Sequence, residues 1–120
     1  MSLSVLYCLI IFGVIGFQVA LIFGAPWGRL TQGGQTQGPL PTSGRLIAAA
    51  SILLLLGMAF AVLSADGSWP RWPSWTMWGA LGVNGLSMML NWITPSKDER
   101  KLWAPITTVM FLLALAVFWL

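Results

Sequence analysis

The stretch Leu46 to Ala65, LIAAASILLLLGMAFAVLSA, decides the fold. It carries no charge, and its only polar side chains are Ser51 and Ser64. At 1.5 Å of rise per residue it covers about 30 Å as a helix, the thickness of a bilayer's hydrocarbon core. Barrel strands alternate apolar and polar positions, and this run does not, so it reads as a transmembrane helix.

Three more uncharged stretches flank it: Leu3 to Phe23, Trp75 to Ile93 and Leu102 to Leu120. The expected fold is an all-α membrane protein, a single domain over 1–120. Four helices, at about 3–23, 46–65, 75–93 and 97–120, pack as an antiparallel bundle joined by a long Gly/Gln/Pro-rich first loop and two short ones. Composition agrees. Of 120 residues 58% are apolar and 8% charged, against about 25% charged in a soluble domain. A chain this small has too much surface for so few charges to solvate. The first stretch lacks the basic start and small-residue cleavage site of a signal peptide, and is kept as a helix.

Local punctuation marks the ends. Gly24 and Pro26 stop the first helix, and Thr42 or Ser43 is placed to cap the second. Ser96, Asp98 and Glu99 read as a capping box opening the fourth, with Pro105 expected to kink it.

Basic residues set the orientation. Arg29 and Arg45 lie in loop one and Lys97, Arg100 and Lys101 in loop three, whereas the opposite side has Arg71 alone. The expectation is loops one and three in the cytoplasm and both termini outside. The net charge of +3 comes from scattered loop residues without the dense basic face that a phosphate backbone requires. No nucleic-acid partner is expected; the lipid bilayer is.

Helix three holds the residues most suggestive of a site. Asn84, Ser87, Asn91 and Thr94 fall within an arc of about 80° at 100° per residue. Gly79, Gly82 and Gly85 lie roughly opposite. Gln18 is the strongly polar group deep in helix one. Gly16, Ala20 and Gly24, and Gly57, Ala61 and Ala65, form small-residue ridges that read as bundle contacts. The plain reading of the polar stripe is interhelical hydrogen bonding. The functional one is a surface that binds or passes a small neutral, lipid-like or ionic solute, with an oligomer needed to enclose a pore.

Two other segments carry aromatic or glycine-rich signals. Trp69, Trp72, Trp75 and Trp78 recur every third residue, as an interfacial belt or an outer aromatic site completed by Asp66 and Arg71. The loop Gly24 to Arg45, GAPWGRLTQGGQTQGPLPTSGR, is long for a connection. Trp27, Leu30 and Leu40 give it groups that can pack, so a surface loop and an ordered cover over the bundle both stand. Its Gln32, Gln35 and Gln37 do not have phosphate-loop spacing.

The GAPWG of that loop, its GG, its GPLP and the Arg45 that opens the next helix resemble a pattern in small uncharacterised four-helix bacterial integral membrane proteins. The segment NWITPSKDERKLWAP, Asn91 to Pro105, resembles another part of that pattern. Together they cover about a third of the chain. The resemblance implies a bacterial inner membrane and assigns no residue a catalytic role.

Missing residues narrow the chemistry. There is no His and one cysteine, Cys8, so neither a Ser/His/Asp arrangement nor a structural zinc site is available. The acids Asp66, Asp98 and Glu99 all lie outside the four stretches, and the last two read as caps. No metal or cofactor is expected, and the chain leans away from being an enzyme. Three functions remain: a solute-binding or solute-passing protein; an accessory or assembly subunit of a larger membrane complex; and, third, a lipid- or isoprenoid-modifying enzyme using those loop acids.

Overall fold

Ser2 opens the first helix: its Oγ accepts from Val5 N at 3.2 Å, a side-chain cap one turn before the apolar run takes over. The computed structural model describes residues 2–120. Its four α-helices are α1 (Leu3–Ile22), α2 (Thr42–Ala65), α3 (Trp75–Ile93) and α4 (Lys97–Trp119), with two single-turn 3₁₀ segments, Gly28–Leu30 and Gln32–Gly34, in the first loop.

Glycine ends the first two helices in the same way. Gly24 has φ +97°, with Ala25 N–H donating to Ala20 O and Gly24 N–H to Leu21 O. Gly67 repeats this after α2 at φ +87°, with Ser68 N–H on Leu63 O and Gly67 N–H on Ser64 O. Both are Schellman closures, satisfying carbonyls the helix would otherwise leave bare.

Helix starts differ from the sequence expectation. Neither Thr42 nor Ser43 caps α2. Pro41 occupies that position in extended backbone and supplies no side-chain bond, because α2 begins a residue earlier than a Thr42 cap requires. At α4 only half of the capping box forms. Ser96 Oγ accepts from Glu99 N at 3.2 Å, while Ser96 N donates to Thr94 Oγ1. The Glu99 side chain is thereby released from a capping role and turns inward. Helix α4 runs unbroken through Pro105.

The helices alternate in direction. Ser4 at the start of α1 meets Asp66 at the end of α2, Trp78 near the start of α3 meets Phe118 near the end of α4, and Phe17 late in α1 meets Trp103 early in α4. Contacts are densest within the pairs α1–α2 and α3–α4, and α1–α4 and α2–α3 close the ring. The main core lies between them, built from Tyr7, Ile11, Met58, Val62, Met77, Leu81, Met110 and small alanines that let the helices approach. A smaller cluster of Leu21, Leu40 and Ala48 pins the first loop to the α1–α2 pair.

The outward faces are apolar. Phe12, Leu53 and Ile93 are each 70% exposed or more, an arrangement that favours hydrocarbon over water as the surrounding medium. Helices α1, α2 and α4 are long and apolar enough to cross a membrane. Helix α3, at 19 residues, is long enough, but Asn84, Asn91 and three tryptophans dilute it. The longest dimension of the bundle, 42 Å, matches a bilayer with its headgroups. The chain is a multi-pass helical membrane protein.

The expected small-residue contacts largely do not form. A methyl group built on Gly16, Gly57, Gly79 or Gly82 would meet nothing within 4 Å; of the helix-three glycines only Gly85 touches a neighbour, Phe111. Gly79 and Gly82 face outward because the polar stripe of α3, not its glycine face, turns toward the bundle interior; of the expected α2 ridge, Ala61 is buried in the main core.

Candidate functional site

The polar stripe of α3 separates into a clamp, a cavity wall and a loop anchor. Asn84 is the clamp. It is 2% exposed; its Nδ2 donates to Tyr7 Oη at 2.8 Å and to Ala80 O at 2.8 Å, and its Oδ1 accepts from Tyr7 Oη at 3.2 Å. Both amide protons are spent, so Asn84 ties α3 to α1 and has no donor left for a ligand. Thr94 is the anchor. It lies just beyond α3, buried, with Oγ1 on Ser96 N and its carbonyl accepting from Arg100 Nη2 at 2.6 Å. Extrapolating the helical arc placed Thr94 with the stripe; the chain leaves the helix at Ile93, and Thr94 turns away.

Ser87, Asn91 and one side of Asn84 line a half-open cavity of about 220 Å³ bordered by all four helices and the first loop. Gln18 of α1 enters it from the opposite wall, with Ser51, Met58, Thr107 and Glu99. A chamber of that size has room for several waters or one small solute. Asn91 Nδ2 donates to Thr107 Oγ1 at 3.3 Å, and Thr107 passes its own proton to Trp103 O at 2.7 Å. The amide of Gln18 and the hydroxyl of Ser87 make no hydrogen bond among the described residues, so both remain available to a guest.

Glu99 is the member that the sequence reading dismissed as a cap. It is 8% exposed, lines the cavity, and accepts Gly33 N–H on Oε2 at 2.8 Å. The one ion pair among the described residues joins Arg29 to Asp98 at 3.4 Å; Glu99 has no cationic partner. The signal available in the sequence was its position. Glu99 stands one turn before Trp103 and two before Thr107, on the side of α4 that lines the cavity. Thr107, Tyr7 and Trp103 were also missed as lining or bracing groups; Thr107 and Thr108 interrupt an apolar run, and Tyr7 is the single tyrosine.

The first loop roofs this chamber. Trp103 Nε1 donates to Leu30 O at 2.7 Å, Ser96 Oγ to Arg29 O at 2.9 Å, and Gln32 Nε2 to Gly44 O at 2.9 Å. Trp27 stacks on Phe17 at 5.6 Å between centroids, and Trp103 meets the same ring edge-on at 4.8 Å. Gly34 sits at φ +69°, where an added methyl would fall 2.5 Å from Ser96 Cβ. Of the two readings of the loop, the structure has the ordered cover. Gln35 and Gln37 point outward and are exposed.

At the other end the four tryptophans do not converge. Trp69 and Trp72 pack edge-on against Phe60 at 5.7 and 5.5 Å, Trp78 against Phe118 at 4.9 Å, and Trp75 is 70% exposed. No two of them stack together. Trp75 and Trp78, one turn apart, share an exposed side of α3, while Trp69 and Trp72 precede it in the second loop. Asp66 is engaged by Ser4 Oγ and by Ser68, not by Arg71. These hydrogen bonds, Ser4 first, hold its carboxyl below the ordinary aspartate value.

Compared with known proteins, the chain matches no protein family, no curated protein and no solved structure.

Proposed function

We propose that this is a non-catalytic membrane protein that holds a small polar solute in the chamber between the four helices and the first loop. The observation that carries the reading is the set of unspent polar groups there. Gln18 and Ser87 face one half-open cavity without partners, and a buried carboxylate, Glu99, also lines it. Polar groups left unpaired inside a membrane protein are costly, and a guest or water offsets that cost. In this reading α3 is a fourth span, tolerated because Asn84 and Asn91 turn inward. Loops one and three lie in the cytoplasm of a bacterial inner membrane and both termini outside, as the weight of basic residues on one end argues. Passing the solute, as opposed to holding it, would take several copies, since one bundle of this size encloses a chamber and no continuous pore.

The test is binding of two small polar probes, ethylamine and glycerol, to the protein in lipid nanodiscs. Saturable binding of at least one is expected, and Ser87→Leu, which fills the chamber, abolishes it without lowering the melting temperature. Binding of neither probe, or binding unaltered by the substitution, overturns the reading. A fluorescent fusion at the C-terminus checks orientation; bright cytoplasmic signal would reverse it.

A second reading, an accessory subunit of a larger membrane complex, is favoured by the outward glycines. Gly79 and Gly82 leave open backbone on the outer face of α3, the surface on which another membrane helix packs closely. Native mass spectrometry from mild detergent separates the two: a stoichiometric foreign subunit supports docking, and a homo-oligomer or monomer argues against it.

A further inference from the structure

An apolar groove of about 580 Å³ runs between α1 and α4, bounded by Gly13 and Phe17 on one side and by Leu102, Pro105, Ile106 and Val109 on the other. Val14 and Trp103 part it from the polar cavity, and the indole N–H of Trp103 is already committed to Leu30 O. A guest in the groove therefore meets no free hydrogen-bonding side chain. Gly13, Pro105 and Val109 are exposed, so the groove opens sideways to whatever surrounds the bundle. Both of its helices are apolar enough to cross a membrane, and what surrounds them there is hydrocarbon. Leu102 to Val109 is about 10 Å of helix, against about 15 Å for one leaflet's half of a bilayer core.

One end of the groove is charged. Lys101 precedes Pro105 by one turn of α4 and Asp98 precedes Leu102 by one turn, so both flank that end. Asp98 is paired at 3.4 Å with Arg29, which the first 3₁₀ segment brings against the start of α4. Lys101 is exposed and has no ion pair among the described residues. With Arg45, Lys97 and Arg100 this end of the molecule has five basic side chains against two acidic ones. Both acids are engaged, Asp98 by Arg29 and Glu99 by Gly33 N–H. Trp27, stacked on Phe17, adds an indole at the same end, a group that prefers the headgroup level. We propose that the groove is a site for an anionic phospholipid, with one acyl chain between α1 and α4 and its phosphate held between Lys101 and Arg29. The tail follows from the apolar walls and from Gly13, which keeps the floor open, with nothing within 4 Å of the place a methyl would occupy. The head follows from charge. A zwitterionic headgroup brings a cation of its own, which the basic cluster repels; an anionic one gains the attraction without that penalty. The site is separate from the solute cavity and does not depend on it.

The experiment is native mass spectrometry of the full chain in mild detergent, titrated with phosphatidylglycerol or phosphatidylcholine of the same acyl chains, with circular dichroism checking that each variant stays helical. One phosphatidylglycerol is expected to bind about fivefold more tightly than phosphatidylcholine, the contribution of a single basic side chain at an anionic surface. Lys101→Gln should remove most of that difference and leave phosphatidylcholine unchanged. Gly13→Leu, on an open helix face where leucine also suits the helix better, fills the groove and should weaken both lipids about tenfold, from the methylenes it displaces. Val109→Trp fills the groove from α4 and should do the same, so the test stands even where Gly13→Leu fails to fold. Equal affinity for the two lipids, or a preference untouched by Lys101→Gln, overturns the anionic head. Binding that survives both groove-filling variants overturns the groove as the place of the chain. A homodimer that Gly13→Leu dissociates, with no lipid retained, makes the groove an interface between copies and overturns the proposal.

Discussion

Tyr7 and Asn84 exchange hydrogen bonds across the α1–α3 boundary, where no bulk water competes. In an apolar interior an unpaired amide costs about 1–3 kcal/mol, yet polar contacts in membrane bundles average only about 0.6 kcal/mol, because helices unfolded within lipid find other partners. The second figure is the relevant one here. Tyr7→Phe should therefore destabilise the bundle by about 0.6 kcal/mol, measured by denaturant titration in bicelles. Adding Asn84→Leu to it should cost less than the two changes taken separately, since the second partner is then removed along with the first. Residue by residue, the stripe on α3 was legible because amides and hydroxyls stand out in an apolar run. The division of labour within it was not. Asn84 and Asn91 have nearly the same helical phase in the sequence and Thr94 lies within about 80° of them, but Asn84 has Tyr7 across from it, Asn91 has Thr107, and Thr94 lies beyond the last helical residue. Glu99 was misread for a related reason: the Ser-x-x-Glu pattern is a local signal, and a tertiary partner, Gly33 N–H, outcompeted it.

Elements behave as their ends dictate. The first loop keeps its place because its backbone meets α4 at several points and its turns require glycine. Gly34→Ala combines a left-handed φ with a clash against Ser96; a non-glycine residue there costs about 1–2 kcal/mol from backbone conformation alone. Faster amide exchange over residues 28–36 is expected, with the exchange of α2 unaltered. At the opposite end, Asp66 joins the start of α1 to the end of α2 through Ser4. Its carboxyl is held below the ordinary value, so its stabilising effect is complete above about pH 4, the unfolded aspartate range, and fades as pH falls through the lower folded value. Asp66→Asn should lower the melting temperature slightly at neutral pH and flatten its decline on acidification. Helix positions were readable from length and punctuation. The loop's order was not, because glycine, glutamine and proline serve flexible linkers and tight turns equally well, and only the carbonyls of Arg29 and Leu30 meeting Ser96 and Trp103 distinguish the two.

Taken whole, the molecule is two helical hairpins, α1–α2 and α3–α4, each tighter within itself than against the other. The apolar content of the four stretches foretold a bundle; nothing in it foretold how the hairpins are held to each other. A covalent bridge, the second loop, joins them at one end only. At the other, the first loop belongs to one hairpin and is fastened to the other through Arg29 O on Ser96, Leu30 O on Trp103 and Gly33 N–H on Glu99. That fastening acts as a second, non-covalent hinge pin. A gene split within the second loop should accordingly yield two fragments that copurify when expressed together, and Gly34→Ala in the first fragment should let them part.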